Sequence, residues 1–203
     1  AREMDMNWVY FPSTWKDENW PHGIAGALLT KLEISEWQNC PLVNYTACPE
    51  DIFTRHFGRV VISHGENKLV VLSAHLLPGN RPTSKQVHER EIQEILAVAE
   101  EDRKAGHSLV FMGDLNHAPD GFEYQLWKGA GLVDAFEARG SGFALSSPSD
   151  VPRRRIDYIW TAGPIAERLL SCRILYEGEF RTNPDDPASF ALSDHIPVLA
   201  VFR

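Results

Sequence analysis

Four segments carry histidine or aspartate at the end of, or inside, an apolar run, and these are the side chains that move protons and hold cations. Leu69-Val70-Val71-Leu72-Ser73-Ala74-His75 ends on a histidine, and Leu109-Val110-Phe111-Met112 leads straight into Gly113-Asp114-Leu115-Asn116. Arg155-Ile156-Asp157-Tyr158-Ile159-Trp160 places an aspartate within an otherwise apolar stretch, and Ser193-Asp194-His195 immediately precedes Ile196-Pro197-Val198-Leu199. An ionised carboxylate in such surroundings is costly unless it is paired or binds a cation. Four such places in one small domain point to strand ends that converge on a shared site. Each has an ordinary reading by itself. His75 can be a structural or solvated histidine, Gly-Asp-x-Asn is good turn chemistry, Asp157 can pair with Arg155, and Ser-Asp-His can simply lead into the last strand. Taken together, in this order, they outweigh those readings.

The elements that must deliver these groups follow from the apolar patterning. Residues 7–23, with Trp8, Tyr10, Phe11, Trp15 and Trp20, read as a short strand and an exposed loop, and Gly23 to Ile34 reads as a strand. Arg59 to Ser63 and Lys68 to His75 are rich in β-branched residues and flank Gly65-Glu66-Asn67, which predicts a hairpin. Pro78, Gly79 and Pro82 break regular structure. Ser84 then caps a helix to about Ala105, with Ile92, Ile95, Leu96 and Ala99 on one face and Gly106 as its stop. Ser108 to Met112 reads as a strand buried on both faces, and residues 120–130 as a short helix. Ile156–Trp160, Leu169–Tyr176 and Ile196–Phe202 are further strands. A hairpin among strands with few helices predicts two packed mixed sheets with helices outside, rather than a purely parallel doubly wound sheet.

A chain of 203 residues forms one domain, or two small ones at most. Its 43% hydrophobic and 24% charged residues exclude a disordered chain. No apolar run approaches the ~18 to 20 residues of a membrane-spanning helix. Twenty-eight acidic against 20 basic residues give a net charge of −8, which disfavours indiscriminate binding of polyanions but is compatible with a local basic groove. Cys40, Cys48 and Cys172 lack zinc-ligand spacing and cannot all pair in one chain. They are expected as free thiols in a reducing compartment, a lean towards a cytoplasmic address, with a Cys40–Cys48 disulfide as the alternative. Asn44-Tyr45-Thr46 fits a glycosylation sequon of a kind that arises often by chance. The opening Ala-Arg-Glu shows no signal-peptide pattern and is expected of a processed product or a fragment.

Ser73-Ala74-His75, Gly113-Asp114-Leu115-Asn116, Arg155-Ile156-Asp157-Tyr158-Ile159 and Ser193-Asp194-His195, in that order, resemble the endonuclease/exonuclease/phosphatase superfamily over about Gly23 to Arg203. This resemblance implies a four-layer α/β/β/α sandwich of two mixed sheets flanked by helices. It also implies metal-dependent hydrolysis of phosphoesters with Mg²⁺ or Mn²⁺, hard ions that take oxygen ligands. By the same resemblance Asp114 and Asn116 handle the attacking water. His195, oriented by Asp157, and His75 hold the phosphate or help the leaving group. Asp194, Asp114 and Asn116 face the metal. Arg155, in the run Arg153-Arg154-Arg155, and Arg81 would grip an anionic substrate.

The chain departs from that pattern at its start. Relatives carry an asparagine and a metal-binding glutamate on their first two strands, and Ala1 to Trp8 resembles the end of the helix that follows them. Glu3 and Glu18 are acidic but do not end apolar runs. The expectation is therefore a single domain over 1–203 lacking its first one or two strands. The expected activity is that of a phosphodiesterase, acting on a small-molecule or lipid-linked substrate and with no obligate protein partner. The alternatives are a Mg²⁺-dependent endo- or exonuclease acting on nucleic acid and, in another class, a non-catalytic binding domain on the same fold.

Overall fold

The computed structural model describes residues 1–13, 25–42, 56–64, 67–79 and 84–203. Trp15, Glu18, Trp20, the sequon at Asn44, Cys48, the Gly65-Glu66 turn, Arg81, Pro82 and the Ser84 side chain lie outside the described residues.

The predicted hairpin is present. Strands β4 (His56–His64) and β5 (Asn67–His75) pair antiparallel, with Phe57 opposite Ala74 and Val60 opposite Val71. Helix α1 (Ser84–Lys104) crosses from β5 to β6 (Ser108–Asp114), which lies parallel to β5. Such a crossover needs about a dozen residues or more, and α1 supplies them. β8 (Asp157–Ala162) pairs antiparallel with β6, and the short β7 (Val133–Asp134) closes that edge. With β3 (Ile34–Pro41) on the other edge, the six-stranded sheet runs β3-β4-β5-β6-β8-β7.

One face of this sheet is covered by α1 and α2 (Phe122–Gly129). Ile92, Ile95, Ala99 and Trp127 pack against Val61, Val70, Leu72, Leu109, Phe111 and Trp160. Burying one such aliphatic side chain contributes about 2 kcal/mol, so the i, i+3, i+7 stripe of α1 secures the sheet's central strands. The other face carries two short antiparallel ladders, β1 (Asn7–Phe11) with β2 (Gly26–Thr30), and β9 (Leu169–Ile174) with β10 (Val198–Phe202). Strand alternation turns Val9 and Phe11 inward onto Val60, Ile62 and Val71, and leaves Trp8 and Tyr10 outward. α3 (Ala135–Arg139) is capped by Asp134, which accepts from the Phe136 N–H at 2.9 Å, and it packs on Leu169 and Cys172 of β9. The architecture is the α/β sandwich expected from the sequence.

β7 and α3 have no counterpart in the sequence reading, and the region of β2 and β3 differs from it. The stretch read as one strand from Gly23 to Ile34 bends after Thr30, so that β2 and β3 belong to different sheets. β3 itself went unread because Ser35, Glu36, Trp37 and Gln38 are all exposed at the sheet edge and show no alternation. Cys40 and Cys172 are both buried free thiols.

Candidate active site

Backbone register puts three of the singled-out side chains in one row. In the parallel β5–β6 pair His75 stands opposite Asp114, and in the antiparallel β6–β8 pair Asp114 stands opposite Asp157. Neighbouring strands lie about 4.8 Å apart and directly paired residues share a face, so the end of the sheet presents His75, Asp114 and Asp157 side by side. Gly113 permits the row. Its φ is 152°, and a Cβ there would collide with the Ala74 carbonyl of the adjacent strand.

His195 joins the row from the loop before β10. Its Nδ1 lies 2.9 and 3.0 Å from the two oxygens of Asp157, and its Nε2 lies 3.7 Å from Asp114 Oδ2 and 3.3 Å from Ser147 Oγ. His75 Nε2 approaches the same Asp114 oxygen at 3.2 Å. The Asp157 hydrogen bond raises the His195 pKa against the effect of burial, and the charges of Asp157, Asp114 and Asp194 add to it. Asp157 is also raised, first by burial and then by the charge of Asp114, while its bond to His195 opposes the shift. The pair therefore keeps a shared proton to higher pH than a solvated imidazole would.

Asn116 sits in the left-handed region at φ 51°. Its N–H donates to Asp114 Oδ1 at 2.9 Å, which fixes the carboxylate's orientation, and its Nδ2 donates to the Leu76 carbonyl at 2.9 Å. An open cleft of about 370 Å³ lies in front of this cluster, lined by Ser73, Met112, Asp114, Asp157, His195 and, at its sides, Ala27 and Val198.

The remaining sequence-singled residues lie elsewhere. Asp194 is exposed and outside the close group of Asp114, Asp157 and His195, whose ligand atoms lie within 4.8 Å of one another. Its carbonyl accepts from the Ser149 N–H at 2.8 Å, so its backbone serves the loop. Arg155, expected to grip substrate, is 9% exposed; its Nη1 donates to Asp134 Oδ2 at 2.6 Å and its guanidinium lies over the Tyr158 ring. That engagement leaves it no route to a ligand, and it also answers the reading of Asp157 as Arg155's partner, because Asp157 pairs with His195. Arg81 lies outside the described residues.

Ser146, Ser147, Ser149 and Arg181 were missed by sequence reading. The Ser146 hydroxyl accepts from the Ile156 and Asp157 N–H groups, each at 3.2 Å, and its carbonyl accepts from the Ile196 N–H at 2.8 Å. Ser149 Oγ donates to the Ser193 carbonyl at 2.7 Å. Arg181 is 2% exposed and donates to the carbonyls of Tyr176, Ser149 and Ser189, tying the loop that carries His195 to the loop that carries the serines. The available signal was a cluster of hydroxyls just ahead of the Asp157 strand.

The donor set suits a hard divalent cation. Asp114 offers carboxylate oxygens at the mouth of the cleft, and Mg²⁺ needs only one or two carboxylates when waters and substrate oxygens complete its shell. Asp157 is already committed to His195 through both oxygens, so Asp114 is the better donor of the two.

Comparison with solved structures agrees with this fold. An endonuclease/exonuclease/phosphatase family protein from Leptotrichia buccalis C-1013-b superposes with a TM-score of 0.71 at 16% identity, covering 98% of this chain and 71% of that one. TDP2 from C. elegans superposes at 0.67 with 17% identity over 97% of this chain, which spans only 58% of that protein. The 3′ phosphatase NExo from Neisseria, bound to a product DNA hairpin, gives 0.68 at 17% identity, covering 100% of this chain and 81% of that one. No curated protein matches the sequence. The sequence pattern of the Endonuclease/Exonuclease/phosphatase family matches residues 3–195, from before β1 to the histidine that completes the cluster. The chain belongs to that family of metal-dependent phosphoester hydrolases.

Proposed function

We propose that the protein hydrolyses phosphodiesters with Mg²⁺ or Mn²⁺ at the cluster of Asp114, Asp157 and His195, with His75 beside it. One observation carries this reading. Two imidazole Nε2 atoms, from His75 at 3.2 Å and His195 at 3.7 Å, converge on a single Asp114 oxygen at the mouth of an open cleft. Phosphoester hydrolysis needs an activated water, positive charge on the non-bridging oxygens and help for the leaving oxygen. Asp114 takes or orients the proton of the water. Asn116, with one N–H given to Leu76, keeps its carboxamide oxygen and second N–H for water or phosphate. His195, held by Asp157 and kept protonated, turns its Nε2–H from Ser147 to a phosphoryl oxygen, and His75 serves the leaving oxygen. A divalent cation held by Asp114 would supply positive charge and Lewis acidity to the reaction.

Among the described residues the second β layer consists of two separate two-stranded ladders. The cleft runs between Ala27 of β2 and Val198 of β10, over the end of β6. For the substrate, the net charge of −8 favours a small or lipid-linked phosphodiester. The DNA-bound Neisseria structure favours a nucleic acid, which keeps the nuclease as a second reading. Hydrolysis of bis(p-nitrophenyl) phosphate with and without Mg²⁺ tests the activity. Metal-dependent turnover lost in Asp114→Asn supports it, and absence of turnover with any divalent metal refutes it. Mg²⁺-dependent nicking of plasmid DNA by the same protein would move the assignment to the nuclease.

A further inference from the structure

Directly after His75 the chain leaves the site through Leu76, Leu77, Pro78 and Gly79, and this stretch is held from two sides. Leu76 belongs to the site side: its N–H donates to the Asp114 carbonyl at 3.0 Å, and its carbonyl accepts from Asn116 Nδ2 at 2.9 Å. Leu77 is held from behind, by α1. Its carbonyl accepts from His88 Nε2 at 2.5 Å, and its N–H donates to Glu91 Oε2 at 3.3 Å.

His88 and Glu91 are one helical turn apart and therefore neighbours on one face of α1. They are 0% and 5% exposed, so neither can contact a substrate. Together they satisfy both backbone polar groups of one residue, two positions from His75. Gly79 shows how little slack the stretch has. A Cβ there would come within 2.6 Å of the Asn116 carbonyl and 3.9 Å of His88 Cε1.

The charges around this clamp come from three elements. Glu94 lies on α1 itself. On α2, Glu123 Oε1 lies 3.2 Å from His88 Nδ1; burial works to raise Glu123, but its own amide and His88 hold it below the usual carboxylate range. His117, ahead of α2, is pushed down to about 4 by burial, in keeping with its Nε2 accepting from Trp127 Nε1–H at 3.0 Å. Burial pushes Glu91 up to about 8 against its Leu77 hydrogen bond, with the charge of Glu94 adding.

We propose that His88 and Glu91 are positioning residues. By clamping Leu77 from the α1 side they fix how β5 delivers His75 and where Asn116 is anchored. The activity arm of this inference rests on the phosphoester hydrolysis proposed above; the clamp itself does not.

The test uses the whole chain and the variants Glu91→Ala, Glu91→Gln, His88→Ala and His88→Gln. Amide hydrogen exchange of Leu76 and Leu77 is expected to accelerate in both alanine variants. It should stay at the wild-type rate in the Gln variants at pH 7, because Gln keeps an oxygen acceptor at 91 and an N–H donor at 88. With bis(p-nitrophenyl) phosphate and Mg²⁺, kcat should fall about tenfold in the alanine variants with little change in KM, as small misplacements of reacting groups do. A bulk packing role would not produce a loss confined to kcat that the Gln variants restore. Unchanged exchange at Leu76 and Leu77 in both alanine variants overturns the clamp. Accelerated exchange with unchanged kcat overturns the positioning role. If wild-type protein hydrolyses nothing, the proposed function fails, and the exchange measurement still decides the clamp.

Discussion

The candidate site has two halves, and they are placed by different physics. His75, Asp114 and Asp157 stand on adjacent strands at the end of one sheet, and backbone register alone brings them into a row. His195 stands on a loop, and its position depends on the side chains of Ser149 and the buried Arg181, which bond to backbone, and on the Ser146 carbonyl, which accepts from the Ile196 N–H. The strand-borne half is fixed by a cooperative ladder of bonds between buried strands. The loop-borne half is fixed by a few separate contacts, each of which can be removed. A substitution in the first half should therefore remove chemistry without moving its neighbours. A substitution remote from the cleft should reach the chemistry through the loop-borne half, or through the clamp on Leu77 behind His75.

The largest expected effect is on the strand-borne carboxylate. Asp114→Asn should lower Mg²⁺-dependent hydrolysis of bis(p-nitrophenyl) phosphate by about 10³-fold, as loss of a group handling the reacting water does, with thermal stability nearly unchanged. A large fall in Tm would show that Asp114 holds the strand row together and would break the contrast. Next comes the loop. Arg181→Ala removes three hydrogen bonds to carbonyls and should cost about 3 kcal/mol of stability. It should also reduce turnover, because the link between Ser149 and the Ser193–His195 segment loosens; stability lost with turnover intact would show that the loop does not depend on this tie.

The contrast also explains what could be read in the sequence. Register-placed residues announced themselves, because a histidine or aspartate closing a run such as Leu69–Ala74 or Leu109–Met112 stands out against buried β-branched neighbours. α1 was legible from Ile92, Ile95 and Ala99. The loop half was only partly legible. Ser193-Asp194-His195 was visible, but the Ser146 carbonyl bonds to Ile196 50 residues on, Ser149 to Ser193 44 residues on, and Arg181 to carbonyls 32 and 8 residues away, for which no local pattern exists. Arg155 misled for the same reason. As one of three consecutive arginines it looks like an anion grip, and only tertiary packing shows it paired with Asp134. β3 was hidden because an exposed edge strand has no buried face to impose alternation.

A third, smaller effect concerns pH. Glu91 has a folded-state pKa of about 8, above the ordinary 4.5 that it takes in the unfolded chain. Its stabilising contribution is therefore complete below about pH 4.5 and is lost progressively until the pH passes 8. Glu91→Gln should flatten the decline of Tm between those limits, and parallel Tm–pH curves for the two proteins would show that the buried carboxyl does not titrate there. The smallest effect is expected at Ser147. Ser147→Ala removes one 3.3 Å contact to His195 Nε2 and should change the rate only a few-fold, since Asp157 still orients the ring.

The most direct test of convergence is a double-mutant cycle across the boundary between the halves. Mg²⁺-dependent hydrolysis of bis(p-nitrophenyl) phosphate would be measured for wild type, Asp157→Asn, His195→Ala and the double variant. If Asp157 acts through His195, the double variant is no slower than His195→Ala alone. Losses that multiply would mean that the two residues act separately, and the strand row and the loop would then not form one site.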